Sequence, residues 1–344
     1  MGGGGSYYDR DTYRTADTYS RKSESEMSRS QMDKAMDPKD KTVSSESEAP
    51  LVLIFDVTGS MDYAPKVVMD KAPLIAGQLS IHGYLGKKPD LLIAAVGDAN
   101  GDSAPFQIGD FVPVRSADGW FKRVWREGGG GGGARESYEG MAYFFANRCE
   151  MPKARTPICI FFADEGFYED LSSSDLKAHF GGQHGKTTAV KAFKELRERF
   201  KDNVILVHRR YGSDDSDKWI VEQWQSVLGK ERVVMAERED KAVADLILGV
   251  AAVMSGSRTI DEYCDDMKQR TNADTGKSEP QSPERIAFVK KALQPLTAIA
   301  PERARKSAET EPKAPKPKKA AAATAAKKAA AGDKTPRKRK PGRF

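Results

Sequence analysis

Large apolar side chains are missing from both ends of this 344-residue chain. From Gly2 to Ala49 there is no Leu, Ile, Phe or Trp, and Val43 is the only branched aliphatic residue. Residues 301–344 are rich in Lys, Ala and Pro, with Phe344 as the only aromatic. Neither end can bury enough apolar surface to offset its chain entropy, so residues 1–49 and 301–344 are expected to be disordered. No apolar run approaches the roughly 18 residues of a membrane span, and no signal-peptide core stands near the N-terminus. Cysteine is scarce too. Cys149, Cys159 and Cys264 are odd in number, far apart and without a CxxC pair, which excludes a disulfide framework and a zinc ribbon. They read as reduced thiols, and the chain as intracellular. Four histidines are equally scattered; His179 and His184 are near enough to share zinc, but no third ligand accompanies them.

Charge is uneven. Pro312–Phe344 holds nine Lys, three Arg and one acid, a net +11, so the chain's overall +6 leaves −5 for residues 1–311. The basic character therefore belongs to the tail, and residues 50–255 remain as one compact domain of ordinary size.

Within that domain, residues 51–56 (LVLIFD), 91–97 (LLIAAVG) and 157–163 (PICIFFA) are continuous apolar runs. Such runs mark strands buried on both faces. Further strands are predicted at 203–208 and 231–235, and an antiparallel edge at 106–114. Helices are predicted over 63–84, about 135–148, 187–200, 217–228 and 239–254. Alternation of this kind predicts an α/β fold: a doubly wound, Rossmann-like, mainly parallel central sheet with helices on both faces. Thr259 with Glu262 reads as a capping box, and Ser282-Pro283 as a second helix start. Residues 256–300 are thus expected to form a helical extension.

Asp56, Asp98 and Asp164 all fall at the predicted carboxyl ends of strands, where ligands of such sheets bind. The strongest signal is Asp56-Val57-Thr58-Gly59-Ser60-Met61. An acid and two hydroxyls at alternate positions of a turn aim three oxygens at one point, and Asp164 adds a carboxylate. Hard oxygen donors of this kind suit Mg or Mn. With few carboxylates on it, such an ion readily accepts an outside carboxylate as its last ligand.

The segment DVTGSM after a buried strand resembles the first motif of von Willebrand factor A (VWA) domains, whose metal-ion-dependent adhesion site (MIDAS) begins Asp-x-Ser-x-Ser. Thr58 replaces one Ser and keeps the hydroxyl. FFADEG at 161–166 is similar to the family's later strand ending in Asp-Gly, here with Glu165 between Asp164 and Gly166. The resemblance covers residues 50–255. It implies a non-enzymatic, metal-dependent protein-binding module for adhesion or scaffolding, with Asp56, Thr58, Ser60 and Asp164 on Mg or Mn. It also implies an acidic residue of a protein partner on the same ion. The family's usual ligating Thr is missing, since no Thr lies between Thr58 and Thr156. In the matching loop, Gly128–Ser137, Ser137 supplies the hydroxyl, or Glu136 an acid, or the site is incomplete. The six glycines read as a strap that lets Glu136 and Ser137 approach the metal.

Two other motifs point elsewhere. Gly185-Lys186-Thr187 ends like a Walker A loop, but Phe180 stands where the first glycine belongs. DVTGS also resembles the phosphorylated-aspartate motif of haloacid dehalogenase-like enzymes, which would make Asp56 the nucleophile of a Mg-dependent phosphotransfer. Thr58 fills the slot of that family's second acid, and Asp98 with Asp102 only mimics its downstream pair. The C-terminal tail would bind nucleic acid or another polyanion without sequence preference, by neutralising phosphates. Arg337–Lys340 would serve as a nuclear address in a eukaryotic host. Met1-Gly2 with Ser6 fits a myristoylation pattern, although Gly-Gly-Gly-Gly-Ser is equally a flexible linker.

Overall fold

In the computed structural model, residues 32–61, 64–125, 134–272 and 275–305 are described. The expectations for residues 1–31, the six glycines and most of the basic tail lie outside them.

The three apolar runs become β2 (Leu51–Asp56), β3 (Asp90–Val96) and β8 (Ile158–Ala163), and every residue but Asp90 is buried. With β12 (Val204–Arg209) and β13 (Val233–Glu237) they form the parallel body of a seven-stranded sheet. Its order is β13-β12-β8-β2-β3-β4, and β5 also pairs with β3. Both β4 (Phe106–Ile108) and β5 (Val112–Pro113) run antiparallel to β3, as the edge reading requires. The doubly wound α/β fold class is therefore observed.

Side-chain alternation along β2 divides the core. Leu51, Leu53 and Phe55 pack with α1 (Ala64–Asp70), α2 (Ala72–His82) and α8 (Val243–Met254). Val52 and Ile54 face α4 (Tyr138–Asn147), α6 (Ala189–Arg199) and α7 (Asp214–Leu228). The helix predicted over 63–84 is two helices. Pro73 sits in the first turn of α2, and its ring and missing N–H oppose continuation from α1.

One boundary differs from expectation. Residues 32–49, grouped with the disordered N-terminus, are ordered from Met32. Met32 and Met36 enter the core, and β1 (Val43–Ser44) pairs with β7 (Cys149–Glu150). Methionines and backbone pairing replace the Leu and Ile that the segment lacks. Residues 256–300 do form helices, α9 (Ile260–Lys268) and α10 (Pro283–Leu293), with both halves of the capping box present. They share the main core: a Cβ on Gly249 would lie 2.5 Å from Leu293 and 2.9 Å from Tyr263. Beneath them Arg270 donates to Asp245 at 2.5 Å, both side chains buried.

The parallel strands read 5-4-3-1-2 in chain order, so winding reverses between β2 and β8. Asp56 ends β2 and Asp164 follows β8. The crevice outside that switch point is where open α/β sheets bind ligands.

Candidate metal centre

Asp56 is fully buried at the end of β2. Its Oδ1 accepts the Thr58 N–H at 2.7 Å and the Thr58 hydroxyl at 2.5 Å, an Asx turn that turns the chain across the sheet rim. Thr58 Oγ1 lies 3.2 Å from Ser60 Oγ, which donates to Asp164 Oδ1 at 3.1 Å. Asp56, Thr58, Ser60 and Asp164 are thus brought together on one rim. Asp56 Oδ2 accepts a hydrogen bond from Tyr138 at the start of α4.

Ser137 is placed differently. Its hydroxyl accepts the Ala99 N–H at 2.9 Å, and its own N–H donates to Gly97 O at 3.1 Å. It ties α4 to the loop after β3. Glu136, by contrast, lies in β6 (Arg135–Glu136), which pairs in parallel with β9 (Gly166–Phe167). The helix predicted from residue 135 starts only at Tyr138.

That pairing brings Glu136 close enough to Glu165 for the Glu165 charge to raise the Glu136 carboxyl. The backbone around Glu165 is fixed from α7. Trp224 Nε1 donates to Glu165 O at 2.8 Å, and the Gln223 side chain brackets Phe167 N–H and C=O at 2.9 Å each. Gly166 is required here, because a Cβ would meet Gln223 Oε1 at 2.5 Å and the Trp219 ring at 2.6 Å.

Four carboxyl groups therefore surround the crevice: Asp56 at 0%, Glu136 and Asp164 at 1%, and Glu165 at 4% exposure. Among the described residues, Asp164 Oδ2, Glu165 Oε2 and Glu136 Oε2 have no hydrogen-bond partner. Burial and then the Asp56 charge push Glu136 up to about 11 and Glu165 to about 7. The same two causes raise Asp164 well above the ordinary carboxylate range, and burial raises Asp56. Burial followed by these acids raises the Tyr138 hydroxyl as well. Arg209 relieves Asp164 only weakly and is itself bound to Asp240 at 2.8 Å.

Buried acids of one sign normally find a cation or hydrogen-bond donors. Orphaned acid oxygens beside two hydroxyls are a donor set that fits a hard divalent ion. Among the described residues no three His, Cys, Asp or Glu side chains are gathered at ligating distance. The carboxylates surround the point without closing on it, and hydroxyls make up part of the set.

The competing motifs resolve otherwise. Asp98 accepts from Asn100 of its own loop and, at 3.0 Å, from the Tyr168 hydroxyl, so both its oxygens are engaged. His184 is shared between Tyr143 and Gly181 O while His179 packs on Phe106. Lys186 pairs with Asp170, and Thr187 lies in a short strand, which is not a phosphate loop. All three cysteines are free and buried. Among the described residues no helix is long and apolar enough to cross a membrane.

In the sequence, Glu136 is marked only as an acid in the glycine-led loop between the two motifs, and Glu165 only as an acid interrupting Asp-Gly in the second.

No family model matches the sequence, and no curated protein matches it. Structural matches include the pilus adhesin SpaC of Lactobacillus rhamnosus GG, at 11% identity and TM-score 0.42, covering 62% of this chain and 32% of that one. A von Willebrand factor type A protein from Catenulispora acidiphila matches at 18% identity and TM-score 0.36, covering 61% and 43%. Proximal thread matrix protein 1 of the mussel byssus matches at 11% identity and TM-score 0.38, covering 62% and 49%. The chain spans less than half the length of each.

Proposed function

We propose that the chain is a non-enzymatic, VWA-type protein-binding module whose crevice holds Mg or Mn. Asp56, Thr58, Ser60 and Asp164 would hold the ion, and the partner protein would contribute an acidic residue. The observation that carries this reading is the set of orphaned, buried acid oxygens at the sheet's switch point. A bound ion would supply positive charge for a partner's carboxylate. The chain's residues do the rest. The Asx turn orients Thr58 and Ser60, Tyr138 fixes one Asp56 oxygen, and Ser60 links the two halves of the crevice.

The same reading gives the basic tail a separate task, sequence-independent contact with nucleic acid or another polyanion. The two activities differ in their response to conditions. Partner binding through the ion is abolished by chelator, whereas tail binding is abolished by salt and ignores chelator. Calorimetric titration of Mg and Mn, with duplex DNA as the polyanion probe, tests both. Asp56→Ala should remove ion binding alone, and a chain ending at Ser307 should lose DNA binding alone. Loss of both activities in either variant contradicts the division.

A further inference from the structure

A cavity of about 160 Å³ lies between the loop after β3, the start of α4, β10 (Asp170–Leu171) and α5 (Ser173–Phe180). Part of its lining is aromatic. Phe106 and Phe180 stand with ring centres 5.0 Å apart, and a Cβ on Gly140 would fall 2.4 Å from the Phe106 ring. Into this lining the fold places Glu139, an acid only 5% exposed. Its position is set from two sides. The Ser137 hydroxyl ties the start of α4 to the loop after β3, and Tyr168 reaches across the cavity wall. The Tyr168 N–H donates to Glu139 Oε2 at 3.2 Å, and its hydroxyl to Asp98. Among the described residues no other residue donates to Glu139, and no Lys, Arg or His pairs with it. Two further acids, Asp170 and Asp175, line the cavity from exposed positions. Asp170 is shared with Lys186 at 3.1 Å, and Asp175 accepts from Ser172.

A buried carboxylate with one long hydrogen bond from a neighbour and no cation calls for a partner from outside. We infer that this cavity is a binding site for an alkylguanidinium group, an arginine side chain or a free guanidino compound, held by Glu139. A guanidinium is planar, more weakly hydrated than an ammonium, and packs on aromatic rings, so it suits a lining of Phe106, Phe180 and Tyr168 around one acid. Asp170 and Asp175 draw a cation toward the cavity and repel an anion. The volume is well below the roughly 300 Å³ at which pockets for drug-sized ligands begin, so the site takes a group the size of a side chain. A bare metal ion fits less well. Among the described residues no three His, Cys, Asp or Glu side chains gather at ligating distance, which suits a cation whose charge is spread over several N–H groups. None of Asp56, Thr58, Ser60 and Asp164 lines the cavity, so the inference does not depend on the proposed ion.

Calorimetric titration of methylguanidinium into the full-length chain tests this, with methylurea as the neutral isostere and methylammonium as the compact cation. The titrations are run at pH 9, above the value of about 8 to which burial lifts the Glu139 carboxyl. The wild type should bind one methylguanidinium, at least tenfold more tightly than either analogue. Glu139→Gln keeps the shape, loses the charge and should weaken binding at least tenfold. Ala99→Leu adds bulk at the cavity wall and leaves the charge in place. It should weaken binding as much, and serves if the Gln variant does not fold. Chelator should change none of these affinities. A tripeptide amide with a central arginine separates the two sources. Binding as tight as that of methylguanidinium assigns the site to a protein partner's arginine, and exclusion assigns it to a free guanidino compound. No binding by the wild type, equal binding of methylurea or methylammonium, or unchanged affinity in both variants overturns the inference.

Discussion

Two clusters of buried charge in this molecule differ in one respect. On one face of the sheet, Asp245 is 1% exposed and accepts from Arg270 at 2.5 Å, with Arg285 3.8 Å away. Although burial opposes its charge, Asp245 and Tyr263 hold the Arg270 guanidinium above its ordinary range. That cluster brings its own cation and locks the C-terminal helices to α8. At the sheet's rim, Asp56, Glu136, Asp164 and Glu165 are buried just as deeply, and the chain offers them hydroxyls and one distant arginine. The first arrangement is finished by the fold. The second has no such buried partner among the described residues, and the proposed ion would supply it.

Breaking the self-contained cluster should have the largest effect. Arg270→Ala leaves buried Asp245 with only Arg285, at 3.8 Å, as an ion-pair partner, so urea unfolding should show a loss of about 3 kcal/mol, the same with or without divalent ions. The rim should respond oppositely. Mn at a hundred times its Kd should stabilise the wild type by about 2.7 kcal/mol, and Asp164→Asn should abolish this. The same variant should be at least as stable as the wild type without metal, because burial already opposes the charge of the Asp164 carboxyl. Chemical denaturation with and without Mn checks both arms.

The rim should also impose a pH dependence that the Asp245 cluster does not share. Glu165 is held up to about 7 by burial and then by Asp56, so the folded chain binds more protons than the unfolded one above the ordinary Glu range. Its contribution is present in full below that range and is lost as pH rises through about 7. The metal-free protein should therefore melt lower at pH 8 than at pH 5.5. The increment given by Mn should grow over the same interval, as the ion replaces protons. Melting curves at the two pH values decide this. Smallest is Gly166→Ala, whose new methyl meets Gln223 and Trp219. It should cost about 1–3 kcal/mol, read by chemical denaturation.

The sequence exposed the rim better than its contents. Strands buried on both faces are continuous apolar runs, so β2, β3 and β8 could be read directly, and with them the acids at their ends. Asp56, Thr58 and Ser60 were legible because one local turn brings them together. Glu136 was legible only as an alternative to Ser137, because its place comes from a two-residue pairing with a segment 31 positions away that local periodicity does not mark. The ordered stretch at 32–49 was hidden for a related reason, since its order comes from two buried methionines and from the pairing of Val43–Ser44 with Cys149–Glu150, which no apolar run announces. Ser137 had the right chemistry for the missing hydroxyl, but its backbone bond to Gly97 turns the side chain toward Ala99.

The most direct measurement is calorimetric titration of Mn into the full-length chain and into Asp164→Asn, with circular dichroism confirming that both are folded. The account predicts one ion per wild-type chain and none in the variant. Equal binding by the two, or no binding by the folded wild type, would contradict it.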